Sequence, residues 1–246
     1  IMVRGLKRFL CSTFILPSLF NIDYLWASDF KLGVETQYEY ATDKFIVENV
    51  KSAYSLGTVG LNIIGDFEKN ISIIGTYGVG YHPNYKTEFS GIGFNGPVVG
   101  RLLGFRTRYL FFDDTHQSAG INFYVSERTV EGDDFRGVRN GQNLTVQTKA
   151  KMKLNEFTLE YRNKVSQLFD VGGSVGVSAW SFEGSGVSFL ENTVISKTVS
   201  DNDDAFFMSV FAKIKTAKPV TISLSRRSYS LDDFVESYEL TANFAL

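Results

Sequence analysis

Two histidines and a set of aspartates are the residues of this chain that could perform acid–base chemistry. A carboxylate that orients a histidine can activate a water molecule for hydrolysis. His82 ends a run of alternating residues, and His116 lies in a short polar segment. The aspartates lie in longer connections, at Asp201, Asp203, Asp204, Asp232 and Asp233. A hydrolase built from His82 and one of these aspartates is one hypothesis. Solvated turns explain the aspartates more simply, so we expect no enzyme.

Metal and phosphate chemistry lack a recognised motif. Asp201-Asn202-Asp203-Asp204 has oxygen ligands but neither the spacing nor the glycine of a calcium loop. Gly172-Gly173-Ser174-Val175-Gly176 is not followed by a helical pattern, and glycines that face a crowded interior explain it. Cys11, the single cysteine, falls in the first residues of the chain. We therefore expect no metal and no cofactor. The net charge of −2 gives no electrostatic case for nucleic acid.

Charged residues also occur opposite apolar ones within runs of alternating type. If these runs form a closed barrel, ten charges point into the lumen: Glu35, Glu39, Arg106, Arg108, Lys149, Lys151, Glu160, Arg162, Arg227 and Glu239. They could line a pore that selects ions. They could also neutralise one another in a filled interior, because buried charges have to be paired. A barrel of eight to ten strands is narrow and usually filled by side chains, which favours the second interpretation.

The elements that position these residues follow a period of two from residue 29 onward. We predict ten strands, at residues 29–41, 51–64, 70–82, 98–112, 119–130, 143–164, 170–181, 204–215, 219–229 and 236–246. Many of these runs exceed the usual length of soluble strands and suit tilted strands that cross a membrane. The fold class is all-β, a closed antiparallel up-and-down transmembrane barrel. Eight strands is the alternative, if one hairpin lies outside the barrel.

The predicted connections alternate in length. The short ones are 65–70, 113–117, 166–168 and 216–219, and the long ones are 42–50, 83–96, 131–142 and 182–203, with 230–235 intermediate. Short turns on one side and long loops on the other are the outer-membrane arrangement. An even strand count places the N-terminus and the C-terminus of the barrel on the same side, the periplasm.

The apolar residues change parity inside two of the predicted strands. In the sixth strand the even positions that end at Leu154 give way to odd ones that begin at Phe157. We predict a β-bulge at Asn155-Glu156, and a second one between Leu56 and Val59. The aromatics Tyr38, Tyr40, Tyr81, Tyr109, Trp180 and Tyr238 are predicted to lie in girdles at the membrane interfaces.

The first 27 residues are typical of a secretory signal peptide. Arg4, Lys7 and Arg8 precede an apolar stretch at 9–20, and Ala27 supplies a small residue for cleavage. We therefore predict a cleaved leader at 1–27 and a mature outer-membrane barrel at 28–246. A membrane anchor helix is the alternative. Pro17, Asn21 and Asp23 interrupt that stretch and argue against it.

Several segments resemble a family of small bacterial outer-membrane barrels, the opacity-type and OmpA-like proteins. The resemblance lies in Leu56–Asn62 with Glu68–Ile73, and in Leu159–Arg162 with Phe169–Gly176, where a glycine-rich strand adjoins a short polar turn. The last strand resembles the C-terminal assembly signal of outer-membrane proteins, with Tyr238, Leu240, Phe244 and Leu246 in the outward positions, although that signal normally ends on an aromatic. The resemblance implies insertion by the barrel-assembly machinery, and no particular activity.

We accordingly expect a monomeric barrel in the bacterial outer membrane, surrounded by lipid, with a structural or surface-interaction role. The strands would anchor it, and the long extracellular loops would contact the environment or a partner. The alternative is a narrow porin-like channel for small solutes.

Overall fold

The strands of this chain close into a ring. The computed structural model describes residues 30–47, 50–67, 70–89, 92–139, 142–190, 193–216, 220–229 and 234–245. Its ten strands are β1 (Phe30–Val47), β2 (Val50–Phe67), β3 (Ile71–Phe89), β4 (Ile92–Asp113), β5 (Gln117–Arg139), β6 (Gln142–Lys164), β7 (Phe169–Leu190), β8 (Thr193–Lys215), β9 (Val220–Tyr229) and β10 (Phe234–Ala245). Each strand pairs with its neighbours in the sequence, and β1 pairs with β10.

All of these pairings are antiparallel, so the predicted ten-stranded closed barrel is confirmed and the eight-stranded alternative is wrong. The predicted leader at 1–27 lies outside the described residues. No helix among the described residues has both the length and the hydropathy to cross a membrane.

The strands extend further than the sequence predicted at one end of the barrel. We call this the upper end; it holds the β1–β2, β3–β4, β5–β6, β7–β8 and β9–β10 connections, and the lower end holds the others. The predicted long loops 42–50, 83–96, 131–142 and 182–203 are mostly strand. For example, Glu131 pairs with Lys149, and Phe182 pairs with Asp201. Their polar composition predicted loops, but the strand ladders continue through most of these residues.

The outer face of the lower half carries a continuous belt of exposed apolar side chains. Leu32 on β1 is 67% exposed, and Met208 on β8 is 68% exposed. The belt continues around the ring through Val59, Leu61, Ile63, Tyr77, Val79, Leu103, Phe105, Phe123, Phe157, Leu159, Val175, Val210, Leu224 and Leu240. A belt of this kind is stable next to hydrocarbon and unfavourable in water.

The pattern inverts above the belt. On β6 the buried residues are now apolar, as at Met152 and Leu154, while Lys153 is exposed. The ladders of β6 with β5 and β7 pass through Asn155-Glu156 without a register shift, so the predicted bulge there is wrong. The β1–β2 ladder is equally regular between Leu56 and Val59, and that predicted bulge is also wrong. The change of parity marks the point at which the apolar side chains pass from the outer to the inner face of the wall.

Candidate functional site

Most of the predicted lumen charges lie on inward-facing rows. Glu35, Glu39, Arg106, Arg108, Glu160, Arg162 and Glu239 pair in register with buried or half-buried positions such as Asn62, Ala41 and Asn122. Arg227 pairs with Ser209 in the same inward row, but its side chain lies outside what the structure describes. Lys149 and Lys151 point away from the lumen.

An ion pair crosses the middle of the lumen. Arg128 Nη2 on β5 lies 2.8 Å from Glu39 Oε1 on β1, and both side chains are nearly inaccessible to solvent, at 3% and 6%. Gln37 Nε2 donates a hydrogen bond to the other carboxylate oxygen of Glu39 at 2.8 Å. Three strands lie between β1 and β5 on the shorter way around the ring, so the pair bridges facing walls. The sequence analysis did not include Arg128 among the lumen charges. Its even position, which alternates with the apolar residues Phe123 and Val125, does place it on the inner face.

The lower lumen contains a second charged cluster. Arg162 Nη2 and Arg108 Nη2 approach the same oxygen of Glu160, at 2.8 and 3.3 Å. Asn122 donates a hydrogen bond to the second oxygen of Glu160 at 3.1 Å. Lys215 Nζ lies 2.8 Å from the fully buried Asp170. These contacts connect β4, β5 and β6 in one place and β7 with β8 in another.

An apolar core fills the upper lumen. Its buried members come from six different strands: Leu56, Val98, Tyr124, Val130, Leu144, Met152, Leu154, Trp180, Ala205 and Phe207. The sequence placed Trp180 in an interface girdle, and this is wrong because the side chain is 3% exposed. β7 presents its even positions to the lumen, so Trp180 packs inside the wall.

Lys149 and Lys151 belong to a ladder of ion pairs on the outer face of the upper half. Lys149 Nζ lies 2.7 Å from Glu131, and Lys151 Nζ lies 2.9 Å from Glu127. The hydrogen bond from Lys149 holds the pKa of Glu131 below its usual value. The two lysines were assigned to the lumen from their parity relative to Leu154. That assignment is wrong because the apolar side of β6 faces inward at this height.

The other predicted aromatics lie at the surface of the belt. Tyr38, Tyr40, Tyr81 and Tyr109 are exposed, and Tyr238 is half-buried beneath the Arg226 guanidinium, which lies 5.7 Å from its ring centre. In the predicted assembly signal, Leu240 and Phe244 are exposed on the outer face of β10, and Leu246 lies outside the described residues.

The predicted acid–base residues are not brought together where the structure describes them. His82 Nε2 accepts a hydrogen bond from the backbone N–H of Gly57 at 3.0 Å. Asp204 lies on β8, on the opposite side of the ring from β3. The side chains of Asp201, Asp203, Asp232 and Asp233 lie outside the described part.

His116 and the glycine-rich segment 172–176 are part of a turn and of a strand. The backbone N–H of His116 donates to Asp114 Oδ1 at 2.7 Å in the β4–β5 turn. This bond, with one from the Gln117 N–H, holds the pKa of Asp114 below its usual value. The glycine-rich segment 172–176 is part of β7. Among the described residues, no group of three or more potential ligands could hold a metal ion.

Comparisons with known proteins match this chain by structure alone. No protein-family model and no curated sequence matches it. The outer membrane protease OmpT from Escherichia coli superposes with a TM-score of 0.53 at 10% identity, covering 88% of this chain and 94% of that one. The translocator domain of the autotransporter NalP from Neisseria meningitidis gives 0.52 at 7% identity, covering 87% of each. These likenesses show that the chain has the fold of bacterial outer-membrane β-barrels.

Proposed function

We propose that the protein is an integral outer-membrane barrel, closed to solutes, which raises a rigid wall above the membrane as a surface for interaction. The observation that carries this proposal is the inversion of the side-chain pattern along single, unbroken strands. The lower half is built for contact with lipid, and the upper half is built for contact with water. The proposal includes no catalytic site.

The width of the belt supports insertion in a bilayer. On β1 it extends from Phe30 to Tyr40, and on β4 from Val99 to Tyr109. A tilted strand needs about 9–11 residues to cross the hydrocarbon. The barrel would therefore be surrounded by outer-membrane lipids as a monomer, and the barrel-assembly machinery would be the partner that inserts it.

Two barriers inside the barrel support a closed lumen. The buried Glu39–Arg128 pair occupies its middle. Leu102, Leu154, Trp180 and Phe207 add buried apolar side chains to the lumen, and an apolar constriction opposes the passage of ions. A narrow porin-like channel has no comparable support.

The upper wall supports the interaction role. β6 contains 23 residues, and roughly 14 of them lie above the belt, which corresponds to a height on the order of 35 Å. A strand ladder with an apolar core holds surface groups in fixed positions, unlike a set of loops. A partner would therefore meet a preorganised surface, which lowers the entropy cost of binding.

Planar-bilayer recording combined with surface labelling tests this proposal. Purified wild-type protein should give no discrete conductance steps. In intact cells, a membrane-impermeant maleimide should label Lys153→Cys on the upper wall and should not label Leu159→Cys in the belt of the same strand. Reproducible conductance steps, or equal labelling of the two variants, would overturn the proposal.

A further inference from the structure

A seam separates β2 from β3 in the upper half of the barrel. Their ladder stops at the Val59–Val79 pair, although both strands continue upward. Continuing the register would set Pro83 opposite Ser55, and proline has no backbone N–H to donate. β3 is also irregular here, since its register with β4 shifts between His82 and Tyr85.

Side chains bridge this seam in place of the ladder. The imidazole of His82 accepts the hydrogen bond of the Gly57 N–H, which a strand neighbour would otherwise take. The phenol of Tyr85 is hydrogen-bonded to the backbone of Ser55 and packs against the apolar core. The walls on the two sides of the seam are therefore held at a fixed spacing.

The outer side of the seam is an open cleft of about 400 Å³. Tyr40 and Ser55 form one wall, and residues 82–86 form the other. Gly57 leaves room at the base, where a Cβ atom would lie 3.4 Å from the His82 ring and 3.5 Å from the Tyr40 ring. The cleft lies at the top of the apolar belt, since the neighbouring Tyr81 is among the exposed aromatics.

We propose that this cleft binds a phosphorylated sugar. Tyr40 and Pro83 offer flat apolar faces, while Ser55 and Asn84 offer hydrogen-bonding groups, the mixture that ligand sites use to hold and orient a polar molecule. Lys86 carries the one permanent charge among the described residues that line the cleft. An ammonium group is a common partner of phosphate.

The size and position of the cleft fit the same ligand. A volume of about 400 Å³ equals roughly 13 water-sized volumes, which is enough room for a hexose phosphate. The top of the belt is the height at which lipid headgroups would lie, so the sugar phosphate would be the headgroup of a membrane glycolipid. A free sugar phosphate has the same chemistry, and the experiment separates these two sources.

The test is titration of the full barrel in neutral detergent, followed by native mass spectrometry. The probes are a phosphorylated disaccharide glycolipid, the same glycolipid without phosphate, and glucose 6-phosphate. The phosphorylated glycolipid should bind about tenfold more tightly than the dephosphorylated one. Lys86→Gln should remove this difference, and Lys153→Gln, an exposed lysine on β6, should preserve it.

Further variants test the other wall of the cleft. Tyr40→Ala should weaken both glycolipids, whereas Tyr81→Ala, its exposed neighbour in the belt, should weaken neither. Competition by glucose 6-phosphate would assign the site to free sugar phosphates, and no competition would assign it to the lipid-borne form. Equal affinity for the phosphorylated and dephosphorylated glycolipids, or equal losses in Lys86→Gln and Lys153→Gln, would overturn the proposal. Neither result would bear on whether the lumen is closed.

Discussion

The lower and upper halves of this barrel share the same ten strands but place opposite chemistry on each face. In the lower half, apolar residues such as Leu159 face outward, and charged residues such as Glu160 face the lumen. In the upper half, Lys153 faces outward and Leu154 is buried inside. Single strands such as β6 run without interruption through both halves. With the lower half inserted in a bilayer, as proposed, the surroundings of a wall, hydrocarbon or water, would decide which face of a strand is apolar.

The largest effect is expected where a charge enters the upper core. Leu154→Lys would bury an ammonium group without a partner, and it should lower the free energy of unfolding by about 4 kcal/mol or more, or prevent folding. Lys153→Leu, one position away on the exposed face, should change it by less than about 0.5 kcal/mol. Urea unfolding in lipid vesicles measures both. A similar cost for the two variants would show that the upper half is not inverted.

The buried ion pair should be nearly as costly to break. Arg128→Leu leaves the Glu39 carboxylate buried without its partner, and we expect a loss of about 3–5 kcal/mol in unfolding free energy. Adding Glu39→Gln to this variant should recover most of the loss, because the uncompensated charge is removed. A double-mutant cycle measures the coupling. Strictly additive losses would contradict a pair that bridges the lumen.

A charge in the belt tests the lower half directly. Leu159→Lys should cost about 2–4 kcal/mol if the side chain lies near the middle of the bilayer, and the cost should fall to about 0–1 kcal/mol near an interface. Unfolding in vesicles gives the value. The depth series Phe157→Lys, Leu159→Lys and Tyr161→Lys on β6 would map where the membrane lies, and a flat series would show that the belt does not contact lipid.

Removing the histidine of the seam should cause a smaller and local loss of stability. His82→Ala removes the acceptor for the Gly57 N–H, at a cost of about 1 kcal/mol. Hydrogen exchange should show about a tenfold loss of protection at the Gly57 amide and no change at Gly60, which lies within the intact β2–β3 ladder. Equal loss at both amides would indicate general destabilisation instead.

The smallest effect belongs to the outer ion-pair ladder. Because Lys149 lowers the pKa of Glu131 below its ordinary value of 4.5, the pair adds stability above that value. This contribution is lost as the pH falls through the lower, folded-state pKa. Glu131→Gln should cost no more than about 1 kcal/mol at neutral pH, and less in high salt. The difference from wild type, followed by unfolding against pH, should disappear in acid.

The ring of ten strands could be predicted because alternation and turn chemistry are local properties of the sequence. The even count, the antiparallel order and the positions of the short turns at 113–117 and 166–168 all follow from them. The upper wall could not be predicted in the same way. A run such as Leu144–Leu154 alternates equally well with either face inward, and parity alone does not say whether the wall at that height meets lipid or water.

The charged residues of the lumen and the contacts of the seam also differ in how far the sequence predicts them. Glu160 and Arg162 share a strand with the belt residues Leu159 and Tyr161 and alternate with them, so their inward position was predictable. The Glu39–Arg128 contact joins residues 89 positions apart and depends on the closure of the ring. His82 is recognisable as a residue next to a proline, but its bond to Gly57 arises only because the neighbouring strand stops pairing there.

The unbroken ladder through Asn155-Glu156 has a consequence for how deeply the barrel is immersed. Nothing in the backbone fixes that depth, because the wall has the same geometry on both sides of this point. The depth is set by the row at which the side chains exchange faces. Replacing the outward residues of that row around the ring with leucines, Asn155 on β6 among them, would move the row by two residues. The protein would then sink by roughly 5 Å without any change of fold.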